Sequence, residues 1–369
     1  MTENTENQDN AGGDTWAGGD IRAVWAARKG RSGGAAFERR RTAPARRPAV
    51  PAARQAPAES SGLPEPLVSP EPPAEPEARA TVVVDPGYDL TMTVTALRRG
   101  SGDPTFRRAV DNSLWLGCRT PSGEPGTLRL CRVTTETVDA EAWGPGAPWL
   151  LKTLPDLLGL CDTEEVRAEF AELVASQGNP QLIQSLRRNR GFRVMRSGRV
   201  WDSLVPAVLE QRVTVQEAHR AYQLLVRRYG IPAPGAPADV RLFVSPSPRE
   251  WALIPSWEWH RAGVDGKRSR AVLGAARVAA RLEETVGMER DEAARRIRTV
   301  PGIGVWTAAE VMHRAHGDAD AVSVGDLHLP RIVCGALGEP GMTWNDDRML
   351  ELLEPYRGHR YRVSALLYR

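Results

Sequence analysis

Two segments with helical apolar spacing, Arg290–Thr299 and Val305–His316, are joined through Pro301-Gly302-Ile303-Gly304. A connection this tight needs glycine, both for φ angles that other residues avoid and to let the backbone come close to a ligand. The second helix begins at about Val305, so its first N–H groups have no partner within the helix and point outward. Free amides at a helix N-terminus suit a phosphate. Such a hairpin, Gly302 and Gly304 with Thr307 behind them, can hold one nucleic-acid strand by its backbone without reading its sequence. The bland alternative is an ordinary glycine turn between two helices.

The residues beyond the hairpin favour the first reading. Trp306-Thr307-Ala308 opens the second helix, and Asp326 comes a short way beyond that helix, just before the helical run Leu327–Leu337. Asp326 can cap that run, and the helix dipole there favours an ionised carboxylate. Capping is the usual work of such an aspartate. Facing a cleft beside a backbone-gripping hairpin, it is also placed to stabilise positive charge on a sugar.

The rest of the chain sets the frame. Pro44–Ala80 is dominated by Pro, Ala, Glu and Arg, with too few large apolar residues to offset ordering entropy, so residues 1–80 read as a disordered tail. Ile21, Val24 and Trp25 sit there among basic residues, followed by Arg39–Arg41, Arg46 and Arg47. A solvated low-complexity tail, an electrostatic tether to DNA and a docking peptide are the readings of these clusters. Residues 81–162 read as a small α+β domain. Strands are expected at Thr81–Asp85, Asp89–Ala96, Ser113–Arg119 and Thr127–Thr134, with a short helix at Asp103–Ala109. From Pro155 the spacing turns helical, through Glu164–Ser176, Pro180–Arg188, Trp201–Glu210, Val215–Tyr229, Pro248–Trp257, Lys267–Thr285, Arg290–Thr299, Val305–His316, Leu327–Leu337 and Asp346–Leu353. The expected fold is therefore mainly α: a bundle over 163–369, behind an α+β domain and a tail.

Composition excludes several classes. No apolar run is long enough for a membrane span, and the start of the chain lacks the plan of a secretory signal, so a cytoplasmic protein is expected. The four cysteines form no CxxC, which argues against zinc and iron–sulfur sites; no metal is expected. Of the 49 basic residues all but Lys29, Lys152 and Lys267 are arginine, the residue whose planar fork suits phosphate, although a GC-rich genome produces the same bias.

The hairpin, the Trp-Thr-Ala after it and Asp326 beyond Trp306 together resemble the helix–hairpin–helix superfamily of DNA glycosylases, most nearly the bacterial 3-methyladenine DNA glycosylases of the AlkA type. Trp201-Asp202-Ser203-Leu204-Val205-Pro206 through Val215 looks like that family's helix pair around its DNA-wedging loop. The resemblance implies base excision from double-stranded DNA by a nucleoid-associated monomer: the damaged nucleotide is flipped into a pocket and its N-glycosidic bond is cut. It makes Asp326 the catalytic carboxylate. Bifunctional relatives carry a lysine where Trp306 stands, and tryptophan cannot attack C1′ as an amine, so base removal without strand cleavage is implied. Trp306 would line the base pocket, where its π face suits a cationic alkylpurine; a core aromatic is the alternative. Gln211 and Arg212 fall where relatives fill the gap left by the flipped base, and Arg212 could equally contact phosphate. No cofactor is implied, with room for a monovalent cation at the hairpin.

Departures from the pattern bear on the substrate. Glu310, one turn after Trp306, stands where the relatives carry an aromatic pocket residue, and a carboxylate there could attract a cationic base or hydrogen-bond a polar one. Trp344 falls too early for the family's late pocket tryptophan, leaving Tyr361 as the nearest aromatic. Lys267, Arg268 and Arg270, and Arg187, Arg188 and Arg190, are candidate phosphate contacts or simply solvated faces. His328 reads as structural or as a backbone contact. Excision of alkylated purines is thus the leading expectation. A glycosylase for a deaminated or bulky base, and a catalytically silent lesion-binding protein, are the alternatives.

Overall fold

The computed structural model describes residues 74–339 and 341–369. Nearly all of the expected tail, with both basic clusters, lies outside the described residues. The expected boundary at 80 moves forward, because Ala78–Val83 is already a strand (β1) paired along its length with Thr137–Trp143 (β5).

Five antiparallel strands form the N-terminal sheet in the order β1-β5-β4-β3-β2, with β2 at Phe106–Arg108, β3 at Leu114–Arg119 and β4 at Pro125–Arg132. Two expectations fail here. Asp89–Ala96 is not a strand but a helix, α1 (Leu90–Val94), with a 3-10 turn after it. Its β-branched residues suggested extension, yet the Asp89 carboxylate accepts the Met92 amide at 2.7 Å, and this cap starts a helix instead. Asp103–Ala109 is not a helix. The buried Asp103 carboxylate takes the Arg99 and Thr105 amides and turns the chain into β2. The strand β5 was not foreseen, since its acidic alternation in Thr-Val-Asp-Ala-Glu-Ala-Trp hides the buried Val138, Ala140 and Ala142.

Helices α2 (Ala147–Lys152) and α3 (Leu154–Leu157) cover the sheet and share its core with Leu114, Leu116, Leu128 and Leu130. Then come α4 (Glu164–Gln177), α5 (Pro180–Arg188), α6 (Val200–Leu209) and α7 (Val215–Tyr229), all near their expected bounds. A capping box between Thr214 and Glu217 fixes the start of α7. A two-stranded ribbon, β6 (Ile231–Pro232) with β7 (Phe243–Val244), ties the helices back to the sheet. The approach is close: a side chain at Gly117 of β3 would strike the Phe243 carbonyl at 2.0 Å.

The expected helix Pro248–Trp257 is broken into α8 (Pro248–Ala252) and α9 (Ser256–Arg261) by Pro255. Lys267–Thr285 is likewise two helices, α10 (Gly266–Ala276) and α11 (Ala279–Glu283). After α12 (Arg290–Ile297) comes the hairpin, then α13 (Val305–Val311), which widens into a π turn over Met312–His316. α14 (Leu329–Leu337), α15 (Asp346–Leu353) and α16 (Arg360–Tyr368) complete the chain; α16 was not expected. The core of α6, α7 and α10–α13 is distinct from that of α4, α5 and α14–α16. Helix α13 and the loop to α14 lie where these two cores meet. No helix among the described residues is long and apolar enough to cross a membrane.

Candidate active site

The hairpin is built as its sequence requires at Gly302. That residue has φ +91°, and a side chain there would also press within 2.9 Å of the Ala271 methyl on α10. Gly304 has an ordinary extended conformation. What its missing side chain leaves is open space, and both glycines are exposed. Helix α13 starts at Val305, where its expected start lies.

Gln211, expected at the wedge, is turned toward the hairpin. Its side-chain amide donates to the Gly302 carbonyl at 2.9 Å and to the Thr307 hydroxyl at 2.8 Å. Thr307 is buried, so it braces the hairpin from within and is not a surface contact for DNA. Arg212, the next residue, is exposed with φ +55°, a left-handed conformation that costs a non-glycine residue about 1–3 kcal/mol. The anchored Gln211 on one side and the capping box of α7 on the other hold it there.

Arg268 corrects another expectation. It is 4% exposed, and its guanidinium donates to Asp265, to the Leu209 carbonyl at 2.8 Å and to the Gly263 carbonyl at 3.0 Å. This arginine ties α10 to the end of α6 and is not available to phosphate. Lys267 and Arg270 beside it are exposed, as are Arg187, Arg188 and Arg190 on and just beyond α5.

Asp326 caps α14 from three residues before its first residue, Leu329. One carboxylate oxygen, Oδ1, accepts the His328 and Leu329 amides at 2.8 and 2.9 Å. The other, Oδ2, accepts the indole N–H of Trp306 at 3.0 Å. All three donors are neutral N–H groups, and together they fix the orientation of the carboxylate from both sides. Asp326 and Trp306 are both half-buried. The bond places the carboxylate beside the helix that the hairpin launches, only two residues from Gly304.

Trp306, Glu310 and His313 succeed one another along one face of α13 and its π turn. Glu310 is 8% exposed and fully engaged: Oε1 accepts from Ser323 at 2.6 Å, and Oε2 accepts from Arg314 at 2.6 Å. Burial pushes its pKa up, but the Arg314 guanidinium and the Ser323 bond, with His313 adding to them only where it is protonated, outweigh this and hold it at about 2. Glu310 is therefore one half of a buried ion pair with Arg314. His313 is pulled down to about 3, by burial and then by Arg314, and is neutral. It packs against Tyr361 with ring centroids 4.2 Å apart and the ring planes tilted by 33°. Trp344, at 53% exposure, lies on the surface.

This network reaches into the N-terminal sheet domain. Arg314 Nε donates to the Ala96 carbonyl at 3.1 Å, and Arg99 pairs at 3.5 Å with Glu210, the residue before Gln211. Sequence reasoning missed Arg99, Glu210 and Ser323, for which no local signal exists. Arg314 was legible, since Glu310 and Arg314 are a helix-spaced pair of opposite charge. Among the described residues no cluster of His, Cys, Asp or Glu could hold a metal ion, and the four cysteines are free thiols.

No family model and no curated protein matches the sequence. Solved structures match the fold. The 3-methyladenine DNA glycosylase of Archaeoglobus fulgidus superposes with a TM-score of 0.65 at 16% identity, covering 78% of this chain and 97% of that one. The 8-oxoguanine glycosylase/lyase of Clostridium acetobutylicum, in complex with double-stranded DNA, superposes with a TM-score of 0.59 at 10% identity, covering 80% and 97%. Its apo form gives 0.60 at 11% identity, covering 82% and 99%. Both neighbours are matched along almost their whole length, sheet domain and helical bundle together, so this chain has the helix–hairpin–helix DNA glycosylase fold.

Proposed function

We propose that the protein is a monofunctional DNA glycosylase of base-excision repair, acting on double-stranded DNA as a monomer and removing alkylated purines of the 3-methyladenine type. The observation that carries this reading is the Asp326 carboxylate, held by three neutral N–H donors beside the hairpin. In the hydrolysis, the bond between C1′ and the base nitrogen breaks and its electron pair leaves with the base. Water adds its oxygen to C1′, and its proton is passed on to the departing base. The sugar carries positive charge in the transition state, and a fixed carboxylate that no cation has neutralised stabilises that charge. Gly302 and Gly304 would meet the DNA backbone. Arg212 would enter the gap left by the flipped nucleotide, and Lys267 would contact phosphate. Trp306 lacks the amine that a lyase step requires.

The lesion has a second reading, for which Glu310 is the reason. A carboxylate already neutralised by Arg314 offers a cationic alkylpurine no net attraction, which favours a neutral altered base instead.

Duplexes carrying an alkylpurine, hypoxanthine, uracil or 8-oxoguanine test both readings against wild-type protein and Asp326→Asn. Excision by the wild type, lowered about 10³-fold in the mutant, is expected, on the scale of losing one preorganised electrostatic group. Undiminished excision by the mutant refutes the role of Asp326. Strand breaks without heat or alkali refute the monofunctional assignment.

A further inference from the structure

We infer that Trp306 is a positioning residue acting through its indole N–H, separately from any stacking by its ring. This rests on the reading of Asp326 as the working carboxylate. A carboxylate offers about four acceptor sites, two on each oxygen. The His328 and Leu329 amides fill both on Oδ1, and the Trp306 indole fills one on Oδ2. A single site on Oδ2 is left for the sugar or the attacking water.

The two amides alone fix Oδ1 but leave the carboxylate able to swing about it. The indole is the contact that stops this swing and so decides where the free site of Oδ2 points. Its own anchorage is firm, because Trp306 lies between the hairpin and the buried Thr307, Ala308 and Ala309 on α13. The hairpin that meets the DNA and the carboxylate that faces the sugar are thereby held in one geometry through one hydrogen bond. A misplacement of about 1 Å at such a group costs on the order of 10²-fold in rate.

The test separates the N–H from the ring. Replacing Trp306 with β-(3-benzothienyl)alanine, where sulfur stands in place of N–H, keeps the aromatic face and removes the donor. Single-turnover excision is expected to fall on the order of 10²-fold, with the Kd for a duplex containing an abasic-site analogue unchanged. Trp306→Phe should behave alike in rate.

A second readout does not depend on activity. Trp306→Phe identifies the Trp306 signal among the eleven indole N–H resonances of the protein, and Asp326→Ala should move that signal upfield while leaving the others in place. An unmoved resonance overturns the inference. So does a benzothienyl variant that excises at the wild-type rate, because stacking alone would then account for Trp306. Should wild-type protein excise none of the bases offered, the proposed function fails and the resonance alone decides whether Trp306 holds Asp326.

Discussion

The two ends of one helical face carry two carboxylates in opposite states. At the N-terminal end of α13, Trp306 holds Asp326, half-buried and bonded, among the described residues, only to neutral N–H groups. One turn further on, Glu310 is buried and matched by the Arg314 guanidinium. Hydrogen bonds from neutral dipoles orient a charge and leave it able to act on a neighbour, whereas an ion pair cancels it locally. The first arrangement suits chemistry on a sugar that becomes positive. The second suits a rigid junction, where Arg314 also holds the Ala96 carbonyl of the sheet domain.

The strongest way to break this contrast is to neutralise each carboxylate in turn. Asp326→Asn should abolish most excision, with little effect on unfolding. Glu310→Gln should do the reverse. It leaves Arg314 buried without its counter-charge, and breaking such a pair costs about 3–5 kcal/mol, read from denaturant unfolding. Equal loss of stability in both variants would erase the distinction.

The response to pH sharpens it further. The folded-state pKa of Glu310, about 2, lies below the ordinary 4.5, and those of His313 and His316, about 3 and about 4, lie below 6.5. In all three cases the unfolded chain binds protons first as pH falls, so acid favours unfolding. The contribution of these three groups is expected to be at its plateau above pH 6.5, while Glu283, pushed up to about 7 by burial, works in the opposite sense as pH falls. The contribution of the three should decline below that as the unfolded-state histidines charge, and more steeply below 4.5, where the unfolded-state counterpart of Glu310 also takes up its proton. Thermal melts from pH 7 to pH 4 measure this, and His313→Gln should flatten the upper part of the decline. An identical pH profile in wild type and His313→Gln would count against the neutral His313.

The smallest effect concerns the hairpin. Gln211→Ala removes the donor to Gly302 and Thr307 and should cost about 1 kcal/mol of stability. Duplex affinity should weaken with it if this brace sets the hairpin for DNA, and unchanged affinity would confine Gln211 to a structural role.

The parts of this site that were legible in the sequence are those set by short-range chemistry. The turn at Gly302 follows from a backbone angle, and the capping by Asp326 from the orphan amides of α14. The pairing of Glu310 with Arg314 could have been read from their spacing. The fold was legible where apolar spacing is regular, as in α5, α7 and α15, and failed where a local cap overrode propensity, as at Asp89 and Asp103. Arg268 and Thr307 were misplaced for a related reason. A polar residue beside a functional motif looks exposed in a sequence, and only the packing of α6 and α10 shows that these two are buried.

By itself, then, the sequence determined a glycine hairpin between two helices and a carboxylate at the head of the next helix. Each is fixed within about one turn of backbone, where sterics and hydrogen-bond geometry act regardless of the rest of the chain. The tertiary structure decided which carboxylate stays charged and directed and which is cancelled. Ser323 and the indole of Trp306 reach their carboxylates across thirteen and twenty residues, and Ala96 meets Arg314 across 218. The strength of a buried charge depends on what folds against it, and that partner is chosen by long-range packing, which no local pattern records.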